Sequence, residues 1–250
     1  MTEAQKQNWQ EELCTLSIAR GRGTFAVFRP ARDDELAEAE RKLDQEPRLL
    51  ARPRTEIAAV IGRRQFYVLD GADNTWLGCG ALWPIARKAI RPHPGVPCVE
   101  LGALWVAEKL RGYGLQRVLG QIGIAEVVAA DPTAEIYSGG VYLNPRSERN
   151  ARWLGFADAN AWAQRIWWPE LCSFGKGCAS RQRAANDGWR CCVRPMKLPD
   201  EWKRDAVRTF LSFVKDPPLI TLTQENGDVL TIRLDGITAL ARCKELARFA

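Results

Sequence analysis

The chain has 250 residues, of which 46% are hydrophobic and 26% are charged, and these proportions are ordinary for a globular protein. No apolar run approaches the roughly 20 residues that a transmembrane helix needs, and the polar N-terminus is unlike a signal peptide. We therefore expect a cytoplasmic protein with no membrane partner. The formal net charge of +6 permits a nucleic-acid or acidic partner without requiring one.

The first part of the chain alternates between strand and helix patterns. In chain order we predict a strand at 24–29, helices at 33–43 and 56–61, strands at 65–70, 75–83 and 99–106, a helix from 115, a strand at 134–143 and a helix at 145–154. The residues Gly71-Ala72-Asp73-Asn74 predict a hairpin between two of these strands. This order is typical of the mixed α/β (α+β) class.

The composition changes after residue 160. Tryptophan and cysteine are concentrated between residues 161 and 199, at Trp162, Trp167, Trp168, Cys172, Cys178, Trp189, Cys191 and Cys192. A helix at 201–214, a hairpin of strands at 219–223 and 229–234 and a helix at 237–249 follow. We therefore predict two domains, 1–160 and 161–250, of which the second is a Trp/Cys-rich segment with a small C-terminal α+β appendage.

The stretch from Glu100 to Glu126 predicts a phosphate-binding site. A mostly apolar strand runs through a glycine-bearing turn at 111–114, and from Leu115 the apolar residues recur with helical spacing. The N-terminus of a helix offers unpaired N–H groups and partial positive charge, and glycines let a ligand approach the backbone. The spacing is neither that of a Walker loop nor that of a Rossmann motif.

The run RGYGLQ at 111–116 resembles the [QR]-x-x-G-x-[GA] signature of the GNAT superfamily of N-acetyltransferases, although Gln116 stands where the family has Gly or Ala. Asn144, Ser147, Gly155 and Phe156 also fall at spacings that are frequent in that family. The resemblance covers about residues 24–160. It implies a GNAT-like mixed twisted sheet flanked by helices, and acetyl-CoA as the cosubstrate.

The resemblance also implies a function and a set of site residues. The protein would transfer an acetyl group from acetyl-CoA to an amine, with the phosphates on backbone N–H groups of the turn and the pantetheine arm along the strand. The implied cofactor-binding residues are Leu104, Trp105, Val106, Arg111, Gly112, Tyr113, Gly114, Leu115, Gln116 and Asn144. The acceptor amine, the acyl group and the oligomeric state are not indicated by the sequence.

Glu100 is the candidate general base. Acetyl transfer requires the amine to lose a proton and the thioester oxygen to be stabilised. A carboxylate in a mostly apolar strand needs a partner or a function because burying it unpaired is costly. Two interpretations therefore stay open: Glu100 is the base, directly or through water, or it is a structural residue that faces solvent or pairs with an arginine. The family's frequent tyrosine acid corresponds to Ala151, which leaves no catalytic acid assigned.

The Trp/Cys-rich segment supports a competing hypothesis from another functional class. Cys172, Cys178, Cys191 and Cys192 depart from the spacing of common zinc sites, so we predict inert thiols and no metal. The tryptophans could stack on nucleic-acid bases, but we favour packing. The alternative function is a catalytically weak GNAT-fold binding module with a basic, metal-stapled nucleic-acid or protein interface.

Overall fold

The computed structural model describes residues 23–46, 49, 52–85, 95–141, 145–159, 193–214 and 218–250. Within them the strands and helices are, in chain order, β1 Gly23–Pro30, α1 Leu36–Gln45, α2 Arg54–Gly62, β2 Phe66–Gly71, β3 Trp76–Pro84, β4 Cys98–Val106, α3 Leu115–Ala130, β5 Glu135–Val141, α4 Pro145–Trp153, β6 Ala157–Asp158, β7 Val193–Lys197, α5 Asp200–Phe213, β8 Leu219–Thr223, β9 Val229–Leu234, α6 Thr238–Ala241 and α7 Cys243–Phe249. Short 3₁₀ turns precede α1, at Asp33–Glu35, and α3, at Glu108–Leu110.

Most predicted elements are present with small shifts of their ends. The predicted helix at 33–43 begins as a 3₁₀ turn before it becomes α1, and the predicted last helix is divided into α6 and α7 at Arg242. Gly155 follows α4 with φ of +92°, and a Cβ there would meet the Trp202 side chain at 2.4 Å, so only glycine fits this position. The short strand β7 was not predicted.

The described strands form one mixed sheet in the order β6-β7-β5-β4-β3-β2-β1-β9-β8. Strands β1 to β4 pair with one another in antiparallel fashion. The pairs β4–β5 and β1–β9 are parallel. Because both parallel and antiparallel pairs occur in a sheet with helices packed on it, the predicted mixed fold class is confirmed.

Both faces of the sheet are buried, and the alternation along β2 shows how. Phe66 and Val68 lie on one face with residues of α1 and α2, in a core that also contains Leu43 and Ile57. Tyr67 and Leu69 alternate with them and lie on the opposite face, in the core that α3 and α5 cover. A strand with two buried faces reads as a continuous apolar run, which is the pattern found in β2.

The C-terminal elements share the sheet and core of the first part of the chain. Strand β9 pairs with β1 from Gly23↔Val229 to Phe28↔Leu234, and α5, α6 and α7 pack on α3. Without β9, the edge of β1 that faces away from β2 would expose unpaired N–H and C=O groups, and β9 supplies their hydrogen-bond partners. The C-terminal elements are therefore joined to the main sheet by strand pairing and by helix packing. The predicted domain boundary at residue 160 lies outside the described residues, and the division there stays a prediction.

Candidate functional site

Strands β4 and β5 separate soon after they begin. They pair only at Cys98↔Glu135, Val99↔Ile136 and Glu100↔Tyr137. Beyond this point β5 pairs with β7, while β4 continues along β3. The edge of β4 from Leu101 to Val106 therefore faces a gap, where an extended ligand can pair with the strand backbone.

A cleft of about 640 Å³ lies at this gap, a size that suits a small ligand or a cofactor arm. It is lined by residues of β4, of the turn before α3 and of the first turn of α3. Ser138 and Gly139 of β5 and Asn150 and Ala151 of α4 line its other wall. The cleft thus joins the open strand edge to a helix N-terminus.

A β-bulge in β4 shapes the wall of the cleft. The register with β3 passes from Ala81↔Gly102 to Cys79↔Trp105, so β4 has one extra residue there. Ala103 in the bulge has φ of +53°, a left-handed conformation that costs a residue with a Cβ roughly 1–2 kcal/mol. Gly102 stands directly before it, but the left-handed residue itself is an alanine, which residue types do not mark for this conformation.

The turn before α3 requires its two glycines. Gly112 has φ of +101° and Gly114, the N-cap residue of α3, has φ of +71°, conformations that glycine adopts without a steric penalty. Among the described residues no side-chain cap is seen at this helix end, and its first turn has no acidic residue. Its first N–H groups have no partner within the helix, and the positive end of the helix dipole favours an anion.

The structure brings most of the predicted site residues together. The members that line the cleft are Glu100, Leu104, Trp105, Val106, Arg111, Gly112, Gly114, Leu115 and Gln116. Tyr113 does not line it; this side chain packs against the core of the α3 face. Asn144 lies outside the described residues, so its placement stays a prediction.

Gln116 is held by hydrogen bonds on two sides of the cleft. Its Nε2 donates to the main-chain oxygen of Leu104 over 3.1 Å, and its Oε1 accepts from Asn150 Nδ2 over 2.5 Å. Arg117 Nε in turn donates to Asn150 Oδ1 over 3.3 Å, and the Arg117 guanidinium lies 4.6 Å from the Trp153 ring centroid. Gln116, which stands where the family signature has Gly or Ala, is thus held by defined hydrogen-bond partners.

Glu100 forms a buried ion pair with Arg52. Arg52 Nη2 donates to both carboxylate oxygens, over 2.9 Å and 2.7 Å, and the two side chains are 6% and 4% exposed. The guanidinium also lies 4.9 Å from the Trp83 ring centroid. Of the two interpretations that the sequence left open, pairing with an arginine is present. A carboxylate offers about four lone-pair sites, so this pairing leaves acceptor capacity on Glu100.

The same end of the cleft carries a second aromatic group. Trp105 Nε1 donates to Glu46 Oε2 over 3.1 Å, and Lys42 Nζ lies 4.6 Å from the Trp105 ring centroid. Leu49, Trp83 and Arg52 complete this wall. Sequence reasoning missed Glu46 and Arg52 because they precede β4 by many residues and nothing in their local pattern marks them.

The cleft supplies no tyrosine at the position where the resemblance implies an acid. Ala151 lines the cleft there. On the neighbouring strand, the Tyr137 hydroxyl donates to Glu135 Oε2 over 2.8 Å. Burial, followed by the contact with Glu135, raises the pKa of Tyr137, which makes its hydroxyl a weaker acid.

The cysteine predictions lie mostly outside the described part of the chain. Cys172, Cys178, Cys191 and Cys192 belong to residues that the structure does not describe. In the remainder, no group of three or more His, Cys, Asp or Glu residues could hold a metal ion. Cys79 is buried in the core, and burial raises the pKa of its thiol to about 12, so it is unreactive. No helix of the described ranges is long and apolar enough to cross a membrane.

No protein-family model and no curated protein matches this chain. Several solved acetyltransferase structures resemble it. Arabidopsis thaliana Naa50, solved with the bisubstrate analogue CoA-Ac-MVNAL, is 17% identical, with 54% of this chain and 85% of that chain covered and a TM-score of 0.44. A variant of the spermidine N-acetyltransferase SpeG from Vibrio cholerae is 13% identical, with 71% and 95% covered and a TM-score of 0.47.

The NatC complex bound to Gag peptide and CoA is 15% identical, with 70% of this chain and 98% of that chain covered and a TM-score of 0.49. Each of these three structures is 17% identical or less and has a TM-score below 0.5, so none of them supports a conclusion about this chain. The function must therefore be argued from the cleft itself.

Proposed function

We propose that the cleft binds acetyl-CoA and that the protein transfers the acetyl group to an amine. The observation that carries the proposal is the continuity between the open edge of β4 and the N-terminus of α3. A ligand with an amide-bearing arm and phosphates can use both at once. The arm pairs with backbone groups of Leu104 to Val106, and the phosphates bind the turn at 111–116.

The remaining site residues are assigned to the phosphates or to other parts of the same ligand. Arg111 adds positive charge beside the phosphates, while Gly112 and Gly114 allow their close approach to the backbone. Asn144 contacts the cofactor from the region after β5. The cytoplasmic location expected from the sequence is also part of this proposal.

The reaction is a direct transfer within a complex of both substrates. The amine nitrogen attacks the thioester carbonyl carbon, the carbon–sulfur bond breaks, and the CoA thiolate leaves with its electron pair. Glu100, or a water bound to it, accepts the proton of the amine. Arg52 holds the Glu100 carboxylate in place, and a lone pair of this carboxylate that Arg52 does not use accepts the proton.

Calorimetry with acetyl-CoA tests the binding step. Gly114→Ala is expected to weaken binding, because a Cβ at φ of +71° strains the turn while filling open space. Gly95→Ala is the matched control, since Gly95 has φ of +87° and also faces open space, yet lies outside the cleft lining. This control should keep the affinity of the wild type. No heat of binding from the wild-type protein at millimolar acetyl-CoA would refute the proposal.

The second candidate function is a binding module with weak catalysis. The Arg52 pairing of Glu100 and the alanine at position 151 favour it. Glu100→Gln separates the two candidates: lost turnover with unchanged acetyl-CoA affinity supports the base, and unchanged turnover removes that assignment. If the wild type binds acetyl-CoA but turns over none of the amines tested, the binding module is favoured. Metal analysis of the purified chain decides whether a metal ion holds the Trp/Cys-rich interface together.

A further inference from the structure

The Gln116 side chain crosses the cleft in a defined orientation. Its Nε2 donates to the Leu104 carbonyl oxygen, and its Oε1 accepts from Asn150 Nδ2. A carbonyl can only accept and the Arg117 Nε that bonds Asn150 Oδ1 can only donate. Flipping either amide would place two donors or two acceptors against each other, so the orientation of both side chains follows from their partners.

This arrangement, which we name the Gln116 latch, consists of Gln116, Asn150 and the Leu104 carbonyl. It ties together three elements that surround the gap: the bulged strand β4, the first turn of α3, and α4. Leu104, Gln116 and Asn150 all line the cleft. The latch therefore lies where an elongated ligand must pass between the strand edge and the helix N-terminus.

The Gln116 carboxamide is chemically the same group as the amides of a pantetheine arm. It already donates to a main-chain oxygen on the open edge of β4, which is the bond that a ligand amide running beside this strand would form. The Gln116 amide thus occupies the position that an amide of the ligand would take, and it forms the same hydrogen bond. A glycine or alanine at position 116 has no side-chain amide and would leave the Leu104 oxygen open.

We propose that Gln116 is an internal competitor that sets the affinity of the cleft for the pantetheine arm. This inference rests on the proposed acetyl-CoA site and concerns the arm of the ligand, not its phosphates. The ligand must break the hydrogen bonds of Gln116 before its own amide reaches Leu104. Removing the side chain therefore strengthens binding of CoA and of pantetheine alike.

Calorimetric titration of CoA and of pantetheine into four proteins tests the inference: the wild type, Gln116→Ala, Asn150→Asp and Gln45→Ala. Gln116→Ala should bind both ligands about five- to tenfold more tightly, the equivalent of about one net hydrogen bond. Asn150→Asp keeps the shape and the bond to Arg117 but cannot donate to Gln116, so it should change affinity in the same direction by a smaller factor. Gln45, whose exposed amide accepts from Arg41, is the control and should leave both affinities unchanged.

Each outcome separates this inference from the proposed function. Wild-type binding with equal or weaker binding by Gln116→Ala overturns the latch and leaves the acetyl-CoA site standing. Tighter binding of CoA alone also overturns it, because the effect would then come from the phosphates. Failure of all four proteins to bind CoA overturns both proposals. Thermal melts identify a misfolded Gln116→Ala, in which case the isosteric Asn150→Asp carries the test.

Discussion

Two buried carboxylates in this protein are held by opposite means. Glu100 in β4 is 3% exposed as a whole residue, and each of its carboxylate oxygens accepts a hydrogen bond from the charged Arg52. Glu126 in α3 is 5% exposed and accepts from uncharged groups, the Tyr67 hydroxyl at 2.7 Å and the Ala239 N–H at 2.5 Å. Equal burial therefore produces different electrostatics in the cleft and in the core.

The difference teaches what each carboxylate does. Burial is the largest influence on Glu126 and raises the pKa of this carboxyl, although its hydrogen bonds and the charge of Arg64 act in the other direction. Glu126 joins α3 to β2 and to the start of α6, so it belongs to the core that the C-terminal elements complete. Glu100 pairs with the charged Arg52 and lines the cleft, so it belongs to the ligand site and not to the core.

The largest expected effect comes from breaking the charged pair. Glu100→Leu removes the buried carboxylate that pairs with Arg52 and leaves only the exposed Glu56 carboxylate, 3.8 Å away, as a counter-charge. We expect the free energy of unfolding to fall by about 3–5 kcal/mol. The double variant Glu100→Leu/Arg52→Met should recover most of this loss, because it removes both charges and keeps apolar volume. Urea denaturation measures both values. A loss below about 1 kcal/mol in the single variant would mean that the pair behaves like one at the surface.

The pH dependence of stability tests the other carboxylate. The pKa of Glu126 is raised above its ordinary value of 4.5, so the folded state binds this proton more tightly than the unfolded state. Its contribution to stability is present below the unfolded pKa and is lost as pH rises through the folded pKa, with a slope of at most roughly 1.4 kcal/mol per pH unit for one proton.

Glu126→Gln cannot titrate and should lack this part of the pH dependence. We expect the free energy of unfolding of the wild type, minus that of the variant, to fall as pH rises above 4.5. Denaturation curves from pH 4 to pH 8 give this difference directly. A flat or rising difference would contradict the assignment of Glu126 as a carboxyl held by neutral donors.

The smallest expected effect lies where the C-terminal elements reach the cleft. Gln224, at the turn between β8 and β9, donates from Nε2 to the main-chain oxygen of Arg111 over 3.2 Å. Gln224→Ala should weaken CoA binding about threefold to tenfold by loosening the phosphate turn, and should leave pantetheine binding unchanged. Asn226→Ala, which alters the same hairpin turn, is the control. An equal loss for pantetheine would show that the hairpin acts on the whole cleft.

The local features of the cleft could be predicted from the sequence, and the long-range contacts could not. The glycines at 112 and 114 and the change to helical spacing at Leu115 are signals that span a few residues. The Arg52–Glu100 pair and the pairing of β9 with β1 join distant parts of the chain, for which neither residue types nor spacing carry a signal. Ala103 shows a third case, because its left-handed conformation is imposed by the surrounding sheet on a residue that does not favour it.

Hydrogen–deuterium exchange with and without CoA tests the central claim most directly, because it reports where the ligand binds. The account predicts that CoA slows amide exchange along Leu104–Val106 of β4 and through residues 112–116, since those backbone groups meet the arm and the phosphates. Exchange in β8 and in α7 should be unchanged. Protection in another part of the chain, with β4 and the turn unaffected, would contradict the account.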